Sequence, residues 1–328
     1  MQAAVVPAVN SSWQVKDVPQ PQPGPNQVLV KMHASGICYT DVHQTLGHLP
    51  GPFPRILGHE PVGEILAVAP DVTTRKVGDR VGTAWIQSTC GRCEWCHRGR
   101  RMFCPDMKVT GIHTQGGHAE FMPMNADATY LIPDKVSFEQ AAPIFCAGYT
   151  VYSGLRWAAP QPRERVAVLG IGGLGHLAVQ YAKAAGFETI AISHSPDKDK
   201  MIRDLGADEV VRDGKGLAAA GGADIILSTS NSTKSMVDCI QGLRPDGRLV
   251  TMGADAEPLS VSLLELLSKR IRIIGSQQNG PEYLYEALDF VAQGKVKTIV
   301  ETYSLAEAAK AYERVAEGKA RFRAVLTM

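Results

Sequence analysis

The sequence has almost no surplus of charge. Its 34 lysines and arginines are matched by 33 aspartates and glutamates, a formal net charge of +1. It therefore lacks the basic footprint expected for nucleic acid or an anionic membrane as partner. No apolar run approaches the length of a membrane span. The first residues, Met1-Gln2-Ala3-Ala4-Val5-Val6-Pro7, carry neither a basic leader nor a long apolar stretch, so no secretory signal is expected. Internal repeats and long low-complexity tracts are also missing. What is present is 45% hydrophobic and 20% charged residues, the composition of a soluble globular protein. At 328 residues the chain is too long for one ordinary core and is expected to form two domains.

Seven cysteines then need a role. With no secretory signal, a cytoplasmic, reducing location is expected, which argues for metal rather than disulfides. Cys90, Cys93, Cys96 and Cys104 are spaced Cys-x2-Cys-x2-Cys-x7-Cys. Four thiolates this close repel and oxidise unless a cation holds them. An all-cysteine set also fills every tetrahedral zinc position, so this zinc is expected to be structural. Arg98, Arg100 and Arg101 in the same loop read as solvated charges, and Cys239 reads as packing in a helix.

Cys38, His59 and Cys146 can supply a thiolate-imidazole-thiolate set. Three protein ligands leave one position open, the pattern of a catalytic zinc. Taken alone, Cys38 also suits a small buried apolar position. Asp41 lies three residues after Cys38. It is assigned as the carboxylate that fixes the ring of a metal-bound His59, the alternative being an acidic residue in a first helical turn. Glu60 adjoins a ligand and can approach the metal as an alternate one.

Along the chain, the proline-rich run at residues 19–25 is a surface connection, and Val28–Met32 is strand-like. A short helix is expected over Cys38–His43, then a Gly/Pro loop from Leu46 to Arg55. Residues Glu64–Gly82 alternate apolar and polar, which predicts a small antiparallel barrel-like sheet. His113 and His118 read as ordinary polar residues, and the segment 143–150 brings Cys146.

A different pattern follows. Arg165–Leu169 is a short apolar run. The turn Gly170-Ile171-Gly172-Gly173-Leu174-Gly175 comes next, and then an amphipathic stretch from Leu177 to Ala185. A G-x-G-x-x-G between strand and helix lets backbone N–H groups reach a pyrophosphate at the positive helix end. A glycine turn without cofactor is the alternative. Further strands at Thr189–Ser193, Asp224–Leu227, Arg248–Met252 and Arg272–Ile274 predict a doubly wound parallel sheet of Rossmann type.

The second strand lacks a terminal acid. An NAD-type fold places Asp or Glu there to bind the ribose hydroxyls and repel a 2′-phosphate. Here the strand ends in Ser193, followed by His194, Ser195, Pro196, Asp197 and Lys198. Two hydroxyls, a lysine and a protonated His194 can donate to a phosphate, so NADP(H) is the expected cofactor, with NAD(H) as the other choice. Asp197 opposes this, and no arginine sits in the turn. Glu188 precedes the strand, at its wrong end. Ser195 before Pro196 also reads as an ordinary helix cap.

Two runs, Gly36-Ile37-Cys38-Tyr39-Thr40-Asp41-Val42-His43 and Gly58-His59-Glu60, resemble the zinc-containing medium-chain alcohol dehydrogenases. The resemblance extends from Gln27-Val28-Leu29-Val30 to Phe322-Arg323-Ala324-Val325-Leu326, and points to the cinnamyl and yeast-type branch. Two cysteines and one histidine are the known catalytic zinc ligands of alcohol dehydrogenase. The family implies an α/β fold, with a mainly β, GroES-like catalytic domain over 1–148 and 281–328 and a Rossmann domain over 149–280. It also implies interconversion of alcohols with aldehydes or ketones, and a homo-oligomer, dimer or tetramer.

The mechanism implied has zinc lowering the pKa of the alcohol oxygen while Thr40 accepts the proton. His43 carries that proton outward, though His43 also suits a plain surface position. Hydride passes to a nicotinamide beside Thr150, with Arg323 near the pyrophosphate. Leu49 and Trp85 lean into the substrate pocket, and their bulk suggests primary alcohols or aldehydes. Tyr39 departs from the histidine or arginine often found after the first cysteine. The Ser193 to Lys198 stretch resembles the Ser-x-Ser-x-x-Lys of NADP-dependent cinnamyl alcohol dehydrogenases. Two rival readings are a non-catalytic NAD(P)-binding protein and a zinc-free quinone or enone reductase, which lacks both cysteine sets.

Overall fold

The computed structural model describes residues 1–253 and 257–328. The chain opens with β1 (Gln2–Val6), β2 (Gln14–Asp17), β3 (Gln27–Ile37), α1 (Tyr39–Thr45), β4 (Arg55–Ile56) and β5 (Glu60–Val68). It continues through β6 (Arg80–Thr83), β7 (Ile86–Ser88), α2 (Glu94–His97), β8 (Lys108–Val109), β9 (Phe121–Asn125), β10 (Thr129–Leu131) and α3 (Phe138–Ala141). Then follow α4 (Ala147–Trp157), β11 (Arg165–Leu169), α5 (Gly175–Ala184), β12 (Glu188–Ile192), α6 (Asp199–Asp204), β13 (Glu209–Val211) and α7 (Gly214–Ala219). β14 (Ala223–Ser228), α8 (Thr233–Ile240), β15 (Leu243–Thr251), α9 (Leu263–Lys269), β16 (Arg272–Gly275) and α10 (Pro281–Ala292) come next. The last elements are β17 (Val300–Ser304), α11 (Ala308–Ala316) and β18 (Arg323–Thr327). These form two compact units, Met1–Cys146 with Thr298–Met328, and Ala147–Lys297.

The first unit is built on β3, which pairs antiparallel with β5, β9 and β18. Alternate residues of β3 face inward. Val28, Val30 and Met32 bury against Ile65, Val81, Met122 and Met124, and each such aliphatic side chain contributes roughly 1.5–3 kcal/mol. The antiparallel β5–β6 pair overlaps the segment read as alternating and starts before it, at Val62 opposite Gly82.

Register decides what comes together at the end of β3. Gly36 stands opposite Glu60, and Ile37 opposite Ala324. Cys38, one residue past Ile37, therefore emerges beside His59, Glu60 and Arg323. Gly36 is needed for this approach, because a Cβ there would meet Glu60 Oε2 at 1.9 Å.

The second unit is a six-stranded parallel sheet in the order β13-β12-β11-β14-β15-β16. All five residues of β11 are buried, as befits a central strand of a parallel sheet. β13, only three residues long, was not anticipated: so short a run has no readable period.

α10 belongs with this unit. Tyr181 Oη donates to the Ala287 carbonyl at 3.1 Å, and the Phe290 ring packs tilted against Tyr152 and T-shaped against Tyr181. The chain thus returns to the first unit at Thr298, later than the boundary at 281 read from sequence, because the aromatic face of α10 is already committed. No helix among the described residues is long and apolar enough to cross a membrane.

Candidate metal centres and cofactor turn

Three distant parts of the first unit converge on one buried cluster. β3 delivers Cys38, which caps α1 in an extended conformation. The segment before β5 delivers His59, and the turn after α3 delivers Cys146. Cys38 Sγ lies 3.9 Å from Cys146 Sγ, and His59 Nε2 lies 3.3 Å from the same sulfur. Ligand atoms of Cys38, His59, Glu60 and Cys146 all fall within 4.8 Å of one another. Sulfurs held about 2.3 Å from a tetrahedral zinc stand about 3.8 Å apart, so the two thiols fit a common ion without rearrangement.

The surroundings are arranged around these groups. Asp41 Oδ2 accepts the Cys38 N–H at 2.8 Å, and its Oδ1 accepts the Gly58 N–H at 3.2 Å. The same Oδ1 is 3.9 Å from His59 Nδ1, an electrostatic contact rather than a hydrogen bond. Asp41 thus holds the backbone on both sides of the cluster as well as facing the imidazole. Trp85 presents its ring edge-on to His59, with centroids 5.3 Å apart. Thr40 Oγ1 lies 3.6 Å from Cys38 Sγ. Arg323 is 5% exposed, with its guanidinium paired to Glu60 Oε1. The structure therefore places this arginine inside the first unit, against a carboxylate of the metal cluster.

The electrostatics of the cluster suit a bound cation. Hydrogen bonding from Cys146 holds the Cys38 thiol well below its usual value against the effect of burial, while the same bond drives Cys146 well above. Burial opposes charge on His59, but the Cys38 sulfur and Asp41 outweigh it and raise the imidazole to about 9. Burial pushes Asp41 up to about 7 and also raises Glu60, with Arg323 opposing. Among the described residues, Glu60 Oε2 and His59 Nδ1 have no hydrogen-bond partner. A buried site with this much anionic capacity and an orphaned carboxylate oxygen on Glu60 suits a divalent ion, and a sulfur-rich set with one imidazole selects zinc.

His43 is half-buried on α1, edge-on to Tyr39, with Nδ1 3.3 Å from Nδ1 of the exposed His48. Leu49 is half-buried in the loop after α1.

His118 differs from its reading as an ordinary polar residue. It is fully buried, its ring tilted against Trp13 with centroids 5.2 Å apart, and its Nε2 lies 3.9 Å from Asp41 Oδ1. Burial and the neighbouring His59 push it down to about 3, so it is a neutral packing group behind the cluster. Nothing in its sequence neighbourhood marks it out.

The second cluster is local. Cys90, Cys93, Cys96 and Cys104 place their sulfurs within 4.8 Å of one another, with Cys90 3.6 Å from Cys104 and 4.0 Å from Cys96. Those spacings again fit one tetrahedral zinc. Cys93 caps α2, whose single turn brings Cys96 round to the same side. Arg98 is exposed and pairs with Glu94 at 3.1 Å. Cys239 is buried in α8, its thiol raised to about 12 by burial.

In the second unit the turn after β11 opens with Gly170 at φ +87°, a conformation that favours glycine. At Gly175 a Cβ would strike the Gly170 carbonyl at 1.9 Å, so that glycine closes the turn onto α5. Gly172 is different, since a Cβ there meets nothing within 4 Å. The protein itself leaves that space open, as a pyrophosphate approaching the backbone requires. Thr150 is half-buried on α4.

β12 ends at Ile192, and Ser193 N–H donates to the Val211 carbonyl at 2.9 Å. Ser193 Oγ in turn accepts the Ser195 N–H at 3.4 Å. Ser195 precedes a short 3-10 turn, Pro196–Lys198, without capping it through its side chain. Glu188, at the opposite end of the strand, is occupied by Arg165 at 2.6 Å.

Comparison with known proteins agrees with both halves. Residues 24–134 match the alcohol dehydrogenase GroES-like domain, and residues 173–293 match the zinc-binding dehydrogenase domain. An alcohol dehydrogenase of Geobacillus stearothermophilus is 40% identical over 334 residues, covering 99% of each chain. Among solved structures, the alcohol dehydrogenase of Aeropyrum pernix superposes with a TM-score of 0.91 at 31% identity, covering all of both chains. A cinnamyl alcohol dehydrogenase of Sorghum bicolor gives a TM-score of 0.91 at 30% identity, over 99% of this chain and 97% of its own. With matches along its whole length, a GroES-like unit, a Rossmann sheet and two cysteine-rich clusters, the chain belongs to the zinc-type medium-chain alcohol dehydrogenases.

Proposed function

We propose that the protein is a zinc-dependent alcohol dehydrogenase that interconverts alcohols, primary ones foremost, with aldehydes by hydride transfer, using NADP(H) in preference to NAD(H). The observation that carries this reading is the buried cluster of Cys38, His59 and Cys146 with one orphaned carboxylate oxygen on Glu60. Zinc bound by those three residues supplies Lewis-acid polarisation of the substrate oxygen, and a bound nicotinamide supplies the hydride acceptor. The first unit provides the metal sites and the second the dinucleotide turn.

The chain's own groups do the rest. Asp41 fixes the backbone that presents Cys38 and keeps His59 oriented. Thr40 Oγ1 accepts the alcohol proton as it gives up its own, which the ribose hydroxyls of a bound cofactor would carry to His43 and on to solvent. Trp85, edge-on to His59, forms an apolar wall, and Leu49 is assigned to the same pocket. Thr150 contacts the nicotinamide, while Gly170, Gly172, Gly173, Leu174 and Gly175 cradle the pyrophosphate. Arg323 balances Glu60 and orients its carboxylate beside the ligands, with the pyrophosphate as its further partner. Cys90, Cys93, Cys96 and Cys104 hold a structural zinc.

A homo-oligomer is also proposed. Leu263, Leu264 and Leu267 on α9 are 75%, 76% and 74% exposed, and the edge strand β16 pairs on one side only among the described residues. Both features are covered economically by a second copy. A cytoplasmic setting keeps the cysteine clusters reduced for metal.

A panel of alcohols and aldehydes assayed with each cofactor, alongside zinc analysis, tests the reading. Turnover of primary alcohols with about two zinc ions per chain is expected. Absence of turnover with zinc present supports the non-catalytic alternative, and absence of zinc supports the enone reductase.

A further inference from the structure

An arginine stands where the sequence shows none. β12 and β13 run parallel, with Ile192 opposite Val211, so the residue after β13 reaches the end of β12. That residue is Arg212. Its Nη1 donates to the Ser193 carbonyl at 3.0 Å and to Asp199 Oδ1 at 2.8 Å, and its Nη2 donates to Asp199 Oδ2. The side chain is 40% exposed.

A guanidinium has five N–H donors. Both on Nη1 and one on Nη2 are engaged here, so Asp199 occupies the end of the fork. What is left is the side edge, Nε–H and the second Nη2–H, without a partner among the described residues. Two parallel donors on one edge match the oxygens of a phosphate. Asp199 and the Ser193 carbonyl fix the plane of the guanidinium, so the free edge is oriented before any ligand arrives. Ser193, whose carbonyl Arg212 binds, is followed in the same turn by Ser195 and by the half-buried Lys198.

We infer that Arg212 is the specificity-determining residue for the cofactor, recognising a 2′-phosphate on the adenosine ribose through its free side edge. This rests on the cofactor reading given above and deepens it: discrimination comes from a residue on the neighbouring strand, with the serine and lysine positions of the turn in support. The competing view is that Arg212 only ties α6 to β13 through Asp199.

Fluorescence titration with NADPH and with NADH, on zinc-loaded wild type, Arg212→Gln and Arg212→Lys, tests it without requiring turnover. Arg212→Gln is expected to lower the NADPH-to-NADH affinity ratio by about tenfold or more. The lysine variant, keeping charge but losing the fork, falls by less. NADH affinity stays within about twofold, since that cofactor has no phosphate for the edge to bind. A ratio that does not move, or affinities for both cofactors that fall together, overturns the inference in favour of the structural tie. Should the glutamine variant fail to melt cooperatively, Arg212→Lys carries the test, with a smaller but measurable fall in ratio required and an unchanged ratio overturning the inference. A wild type that prefers NADH refutes the NADP(H) preference, while the change in ratio at Arg212 is still read on its own.

Discussion

The two cysteine clusters use the same chemistry in opposite ways. The four-cysteine loop draws all its ligands from residues 90–104, and a single helical turn brings them together. The other cluster takes its ligands from residues 38, 59 and 146, two of them side by side only through the register of β3 against β5. Around the loop, the backbone itself supplies much of the support, as in the Cys90 N–H directed at Cys104 Sγ at 3.4 Å. Around the three-residue cluster stands a second layer of buried charge, Asp41, Glu60 and Arg323. A closed thiolate set needs its metal to fold and contributes no open position. An open set needs the fold to hold it, because the scaffold must keep the fourth position free for chemistry.

That contrast is broken most severely at Cys38. Cys38→Ala is expected to lower kcat roughly a thousandfold or more, since the Lewis acid loses a ligand. The melting temperature should move by only a few degrees, because neighbouring side chains still hold the site. A zinc-depleted Cys38→Ala protein with substantial turnover removes the cluster from the mechanism.

Cys93→Ser probes the other side. Loss of a closed structural site is expected to lower the melting temperature by roughly 10 °C, with kcat per folded molecule little changed. Normal melting with lost turnover would reverse the assignment.

The sequence made the four-cysteine loop legible outright, since thiolates packed so closely along the chain need a cation between them. The glycine turn was legible too, because strand, turn and helix are contiguous. The open cluster was readable only in outline. Its candidate ligands could be named, yet the Glu60–Arg323 pair spans 263 positions and depends on β18 lying beside β3. His118 and Arg212 were not legible, for a related reason. Each owes its environment to neighbours in space, one behind Asp41 and one across from Ser193, and neither carries a local pattern.

The smallest expected effect sharpens the comparison at the rim of the open cluster. His43→Ala should slow turnover about tenfold near pH 6 and progressively less towards pH 9, because hydroxide replaces a carried proton route as pH rises. The pH profile of kcat, recorded side by side with wild type, checks this. Parallel profiles would return His43 to a surface role.

The division of labour between the clusters is tested most directly by counting zinc and measuring turnover on the same samples of wild type and Cys38→Ala. Wild type is expected to hold about two zinc ions per chain, and the variant about one, folded and inactive. A variant that keeps both ions and its activity, or one that loses both ions together with its fold, contradicts the account.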